Sequence, residues 1–157
     1  MPQLAPTITI ENARVVHAPQ IHRLVSYWAS RTPVLPKSLG QIYENLREFV
    51  VALDGDSVAG AAALHIDWAD LAEIRSVVVE DGHLAQGIGK HLIERLVEEA
   101  RVLGIERVFV LTDKPEWFAR LGFEPIDKGD LPHKVWRDCV HCPIFTACTE
   151  VALARTV

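Results

Sequence analysis

The apolar patterning predicts an α/β fold in which a central mixed sheet carries helices on both faces. Three observations support that expectation. Val77-Val78-Val79 and Val108-Phe109-Val110-Leu111 are apolar on successive residues, as in strands covered on both sides. Between them lies a strong amphipathic helix, making a strand, helix, strand unit with a parallel pair. Upstream, two strand-like runs joined by Asp54-Gly55-Asp56-Ser57 read as a hairpin, because Asp-Gly supplies the turn chemistry.

Taken in order, Thr7 to Val16 alternates loosely and reads as a first strand. His17 to Arg31 places Ile21, Leu24, Val25 and Trp28 on one helical face, and Pro33 and Pro36 forbid its continuation, leaving residues 32–37 as a constrained loop. Ser38 can cap a second helix through Arg47, with Leu39, Ile42, Tyr43 and Leu46 on one face. Glu48 to Leu53 and Val58 to Ile66 are the two arms of the hairpin, and Leu71 to Glu80 is a central strand. Ile88, Leu92, Ile93, Leu96, Val97, Ala100 and Leu103 form the stripe of the strong helix, which Gly104 ends. Arg107 to Leu111 is the parallel partner strand. Pro115 to Leu121 is a short helix stopped by Gly122, and Phe123 to Ile126 is a strand. Leu131 to Cys142 reads as a helix or turns, and Thr149 to Arg155 as a last strand.

At 157 residues and 49% hydrophobic, the chain suffices for one good core, so a single domain over 1–157 is expected, with its core at 8–127. With 16 Lys and Arg against 21 Asp and Glu, the net charge of -5 argues against nucleic acid or an anionic membrane as partner. Any anion site must then be local. The N-terminal residues lack the pattern of a signal peptide, and Val58 to Leu64 falls far short of the ~18 apolar residues of a spanning helix, so a cytoplasmic protein is expected. Cys139, Cys142 and Cys148 give a C-x2-C-x5-C spacing with His133 nearby. Free thiols, a zinc site with His133 as fourth ligand, and a regulatory disulfide all remain open.

The chemistry points to Leu84-Ala85-Gln86-Gly87-Ile88-Gly89-Lys90. Glycines between an apolar strand and a helix let the backbone approach a ligand, and the helix presents the positive end of its dipole, which suits a pyrophosphate. A tight turn with no ligand has the same local signature. Residues 72–79, then Gln86-Gly87-Ile88-Gly89-Lys90-His91-Leu92, then 107–112, then Trp117-Phe118-Ala119-Arg120-Leu121-Gly122-Phe123 together resemble the GNAT superfamily of acyl-CoA-dependent N-acetyltransferases. Within it the chain is most similar to the short bacterial N-acetylglutamate synthases of arginine biosynthesis that lack an amino-acid-kinase domain.

The resemblance implies acetyl-CoA as cosubstrate, bound by the backbone of Val77, Val78 and Val79 along the pantetheine arm and by Ala85, Gln86, Gly87, Ile88, Gly89 and Lys90 at the pyrophosphate. It implies direct transfer to the amine of a small amino acid, with L-glutamate or glutamine as the expected acceptor. The region also supplies Glu73 as the expected general base, acting through water; a solvated strand-end carboxylate, or a partner of Arg75, is the competing reading, and His65 is an alternative base. For a dicarboxylate acceptor Lys37 and Arg75 are the expected clamps, each otherwise a surface charge. His83, His91 and Lys90 flank the loop and could meet phosphates, while Trp117 and Phe118 are expected to pack. A homodimer through the C-terminal strands is a further implication. Two positions depart from the family pattern. Leu84 stands where Arg or Gln is usual, and Phe118 stands where many members place a tyrosine acid, so thiolate departure falls to solvent or to another group. Both losses would also suit an acyl-CoA sensor without catalysis, and other amines remain alternative acceptors.

Overall fold

The structure, a computed structural model, describes residues 7–84, 86–131 and 150–157. Its elements are β1 (Ile8–Asn12), α1 (Ala18–Ala29), α2 (Leu39–Glu44), β2 (Phe49–Asp54), β3 (Ser57–Trp68), β4 (Leu71–Val79), α3 (Ile88–Leu103), β5 (Arg107–Thr112), α4 (Pro115–Ala119), β6 (Glu124–Ile126) and β7 (Val151–Thr156). Short 3-10 turns fall at Val15–His17, Leu46–Glu48, Asp81–His83 and Lys128–Asp130.

Local chemistry sets the boundaries. Gly55 takes φ +62° between β2 and β3, the conformation a tight hairpin demands of its turn. At the start of α2, Ser38 Oγ accepts from the Gln41 N–H at 3.1 Å while Gln41 Oε1 accepts from the Ser38 N–H at 2.8 Å, a reciprocal cap. Gly87 and Gly104, both left-handed, bracket α3. One expectation is corrected. The first strand ends at Asn12, and Val15 and Val16 lie in a 3-10 turn with their side chains in solvent. His17 is the buried member of that turn, its Nδ1 accepting from the Arg14 N–H at 2.9 Å.

Among the described residues the strands form one sheet in the order β1-β2-β3-β4-β5-β7-β6, antiparallel except for β4 with β5. Helices cover both faces, as expected. On one, Ile88, Leu92 and Leu96 of α3 and Phe118 of α4 pack with Val50, Leu64, Ile74, Val108 and Val110. On the other, Ile21 and Val25 of α1 and Ile42 of α2 pack with Phe49, Val51, Ala61 and Val78. β7 inserts between β5 and β6 and is hydrogen-bonded on both sides over residues 152–154. A dimer made by adding a strand there, as expected above, therefore has no free edge along those residues. The cysteine and zinc readings at Cys139, Cys142, Cys148 and His133 lie outside the described residues, as does the 132–142 segment. No helix among the described residues is long and apolar enough to cross a membrane.

Two departures from regular sheet shape the molecule's centre. The parallel β4–β5 ladder ends after Leu71–Arg107, Ala72–Val108 and Glu73–Phe109, although both strands continue. On its other edge, β4 pairs Arg75 with Ala63 and Val78 with Ala61, so it carries an extra residue there, and Ser76 sits at φ +56°. Bulges bend the strand that carries them. β4 therefore turns away from β5 and opens a wedge in the sheet.

Candidate active site

The wedge is the mouth of a cavity of about 510 Å³, in the range of small-molecule and cofactor sites. Its walls are the diverging lengths of β4 and β5, the start of α3, the Trp117-Phe118 turn and the Thr32-Pro33-Val34-Leu35 loop. Of the residues expected to bind or react, Lys37, Glu73, Arg75, Val77, Val78, Val79, Gly87, Ile88, Gly89 and Lys90 all line it. Gln86 is exposed and outside the lining, and Ala85 lies outside the described residues. His91 is not in the lining either; its Nδ1 lies 2.7 Å from the Gly87 carbonyl oxygen, an i to i−4 contact along its own helix.

Charge is concentrated here. Among the described residues five Lys and Arg, namely Lys37, Arg75, Lys90, Lys114 and Lys128, line the cavity, against three acids, Glu73, Asp113 and Glu150. A chain of net charge -5 thus presents a locally cationic cleft, whose low-dielectric walls focus the field on an anionic ligand.

Glu73 marks the apex of the wedge. It is only 3% exposed, and its Oε1 lies 3.7 Å from Arg75 Nη1. Arg75, two residues along the same strand face, also reaches Glu48 Oε1 at 3.5 Å. Glu48 Oε2 in turn lies 2.7 Å from His65 Nδ1, with Arg75 Nη2 3.2 Å from the same nitrogen. His65 Nδ1 thus sits between a carboxylate, which can only accept, and a guanidinium, which can only donate. His65 does not line the cavity. Arg75 is thus no isolated surface charge: it bridges two carboxylates, one of them in the cavity.

The segment after β4 is tied down in three places. Trp28 Nε1 donates to the Val79 carbonyl at 2.8 Å, and the Tyr27 hydroxyl donates to Asp81. His83, part of the cavity wall, is held between Asp54 at 2.9 Å through Nε2 and Glu80 at 2.5 Å through Nδ1. The hydrogen bond to Asp54, followed by that to Glu80, raises its pKa above 6.5 against an opposing effect of burial. With both nitrogens committed to carboxylates, His83 steadies the loop rather than donating to a phosphate.

The glycines of the loop have separate physical reasons. Gly87 caps α3 at φ +78°. A Cβ on Gly89 would stand 3.1 Å from Trp117 Cζ2, so this glycine lets the helix start close over the indole. Phe118 is buried, edge-on to Trp117 and to Phe123, as expected. Sequence reasoning missed Ser76, Thr112, Lys114 and Lys128. The signal available for Thr112 was a lone hydroxyl ending the apolar run Val108-Phe109-Val110-Leu111; a bulge at Ser76 has no comparable signature.

Residues 20–123 match the acetyltransferase (GNAT) family. The chain belongs to that family. As a GNAT acetyltransferase it uses acetyl-CoA as cosubstrate. It is 36% identical over 148 residues to an uncharacterized N-acetyltransferase of Chlorobaculum tepidum, covering 94% of this chain and 96% of that one. It is 42% identical over 121 residues to an amino-acid acetyltransferase of Mycobacterium tuberculosis, covering 75% of this chain and 69% of the relative. Among solved structures, a Mycobacterium tuberculosis protein in complex with CoA and NLQ superposes with a TM-score of 0.83 at 32% identity, covering 95% of this chain and 99% of the other. The Neisseria gonorrhoeae N-acetylglutamate synthase complexed with coenzyme A and N-acetyl-glutamate superposes with a TM-score of 0.84 at 25% identity, covering 97% of this chain but 35% of that one.

Proposed function

We propose that this GNAT acetyltransferase moves the acetyl group of acetyl-CoA to the α-amine of L-glutamate or glutamine, by direct attack and without a covalent enzyme intermediate. The observation that carries the reading is the cationic cleft at the mouth of the wedge, with one buried carboxylate, Glu73, at its apex. An anionic acceptor and an anionic cosubstrate both fit such a cleft, whereas a polyamine would meet repulsion. The complexes of the structural neighbours with CoA, and in one case N-acetyl-glutamate, support the same reading.

Each residue's role follows from its place. The β5-facing edge of β4 beyond Glu73 has no β5 ladder, so the backbone around Ser76, Val77 and Val78 is available to pair with the pantetheine arm and to donate to the thioester oxygen. The start of α3, with Gly87, Ile88, Gly89 and Lys90, receives the pyrophosphate on backbone N–H groups, the helix dipole and the Lys90 ammonium. Because these donors are largely main-chain, Leu84 at the usual Arg or Gln position is tolerated. Glu73 takes a proton from the acceptor ammonium through water, and Arg75 beside it balances its burial. Arg75 and Lys37, both in the cavity wall, receive the acceptor's carboxylate; the guanidinium suits bidentate contact.

The test is release of free CoA thiol from acetyl-CoA with glutamate, glutamine, aspartate or spermidine. Thiol release dependent on glutamate or glutamine and absent with spermidine supports the proposal. Turnover confined to polyamines, or acetyl-CoA binding with no acceptor-dependent release, overturns it.

A further inference from the structure

Acyl transfer expels a thiolate, and the residues described so far leave the departing sulfur without a donor: Phe118 is a buried ring with no proton to offer. Thr112 has one. It ends β5, lines the cavity, and is 7% exposed. Its Oγ1 accepts a 2.9 Å hydrogen bond from the Lys114 N–H, which fixes the oxygen and leaves the hydroxyl proton to be directed elsewhere. Among the described residues that proton meets no acceptor, although buried hydroxyls are normally satisfied.

Register places the hydroxyl. The last β4–β5 pair is Glu73 with Phe109, so Ser76 and Thr112 each stand three residues beyond it, one on each wall of the wedge. At about 3.3 Å per residue, both lie roughly 10 Å from the apex. The bulge amides and the Thr112 hydroxyl therefore face the cleft at one height. Thr112 also shares the β5 face of Val108 and Val110, which pack with Ile88 and Phe118, whereas Glu73 and Arg75 alternate with Ile74 and so face the α1 side. An amine activated at Glu73 thus approaches from the α1 side of the sheet, while the Thr112 hydroxyl stands on the α3 side to meet the sulfur expelled when the tetrahedral intermediate collapses.

We infer that the Thr112 hydroxyl donates a hydrogen bond to the thioester sulfur as the C–S bond breaks; this rests on the acetyl-transfer reading above. The amine nitrogen forms the C–N bond, and the C–S electron pair leaves on sulfur. The ammonium proton has passed through water at Glu73 to bulk solvent before attack, and the proton that nitrogen sheds after attack is relayed through water to the departing sulfur. Thr112 keeps its own proton and contributes charge stabilisation alone.

Two readouts test this in Thr112→Val, which keeps the packing volume, and Thr112→Ser, which keeps the hydroxyl. The first is the thiol pKa of bound CoA, followed by thiolate absorbance with no acceptor present. It should lie about one unit higher in Thr112→Val than in the wild type or Thr112→Ser, since hydrogen bonds to charged groups have about that strength or more. The second is kcat with glutamate, expected to fall about tenfold or more in Thr112→Val and to be retained in Thr112→Ser, with KM for acetyl-CoA within about twofold. Should Thr112→Val fail to fold, Thr112→Ala takes its place in the same titration. Equal bound-thiol pKa values with and without the hydroxyl overturn the inference, even where glutamate is turned over. A wild type that shifts the thiol but acetylates no amino acid would instead overturn the acceptor reading and leave Thr112 standing.

Discussion

Replacing Glu73 by Gln separates chemistry from architecture. The side chain is 4% exposed and its oxygen lies 3.7 Å from Arg75, so the substitution removes one charge of a buried pair while keeping shape. Stranding a buried charge usually costs about 3–5 kcal/mol. Here Arg75 retains Glu48 at 3.5 Å, so it is not stranded, and we expect a loss of no more than about 2 kcal/mol. For a chain of this size that lowers Tm by at most about 8 °C. The chemical effect should be far larger: a lost general base typically lowers kcat by about 10²- to 10⁴-fold. KM for acetyl-CoA should change little, because the carboxylate sits at the apex and not along the cofactor loop. The assay is thiol release at saturating acetyl-CoA, run beside a thermal melt. A kcat within about threefold of wild type in a normally folded Glu73→Gln would refute the role given to Glu73.

Three further outcomes follow from the same geometry. Gly89→Ala places a Cβ 3.1 Å from the Trp117 ring and should cost about 1–3 kcal/mol in denaturant unfolding while weakening acetyl-CoA binding measured by calorimetry. Ser76→Val forces a β-branched residue into φ +56°, so stability should fall by about 1–2 kcal/mol, whereas Ser76→Gly should not lose it. His83, raised above 6.5 by Asp54 and Glu80, contributes stability that is complete below pH 6.5 and lost as pH rises through its folded value. The unfolding midpoints of wild type and His83→Gln should therefore converge on titration toward alkaline pH.

Much of this was legible in the residues because it is encoded locally. The Asp54-Gly55 turn, the proline barriers after α1, the stripe of α3 and the apolar runs of β4 and β5 each carry their own signal, and together they imply the β2-β3 hairpin and the parallel β4-β5 pair, though not the place of β7 between β5 and β6. The loop glycines were found by the same route, though Gly89 answers to Trp117 as well as to any cofactor. What stayed hidden depends on register between distant segments. Ser76 bulges because β4 must pair with β3 on one side while leaving β5 on the other. Glu48 is 17 residues from His65 and 27 from Arg75, so their meeting follows from two strand alignments, β2 with β3 and β3 with β4, that no single stretch reveals. Val15 and Val16 misled for the opposite reason: they fit a strand pattern, but with His17 buried beneath the turn they lie in solvent.

The central claim is that the cationic cleft at the wedge selects an acidic or amide-bearing amino acid for acetylation. The most direct test is competition: the protein, acetyl-CoA and an equimolar mixture of the twenty amino acids, with the acetylated products identified and quantified by mass spectrometry at early time. The account predicts that N-acetylglutamate or N-acetylglutamine dominates, and that Arg75→Ala together with Lys37→Ala removes that preference. Acetyl groups distributed evenly over the mixture, or found on lysine in preference to glutamate, would contradict it.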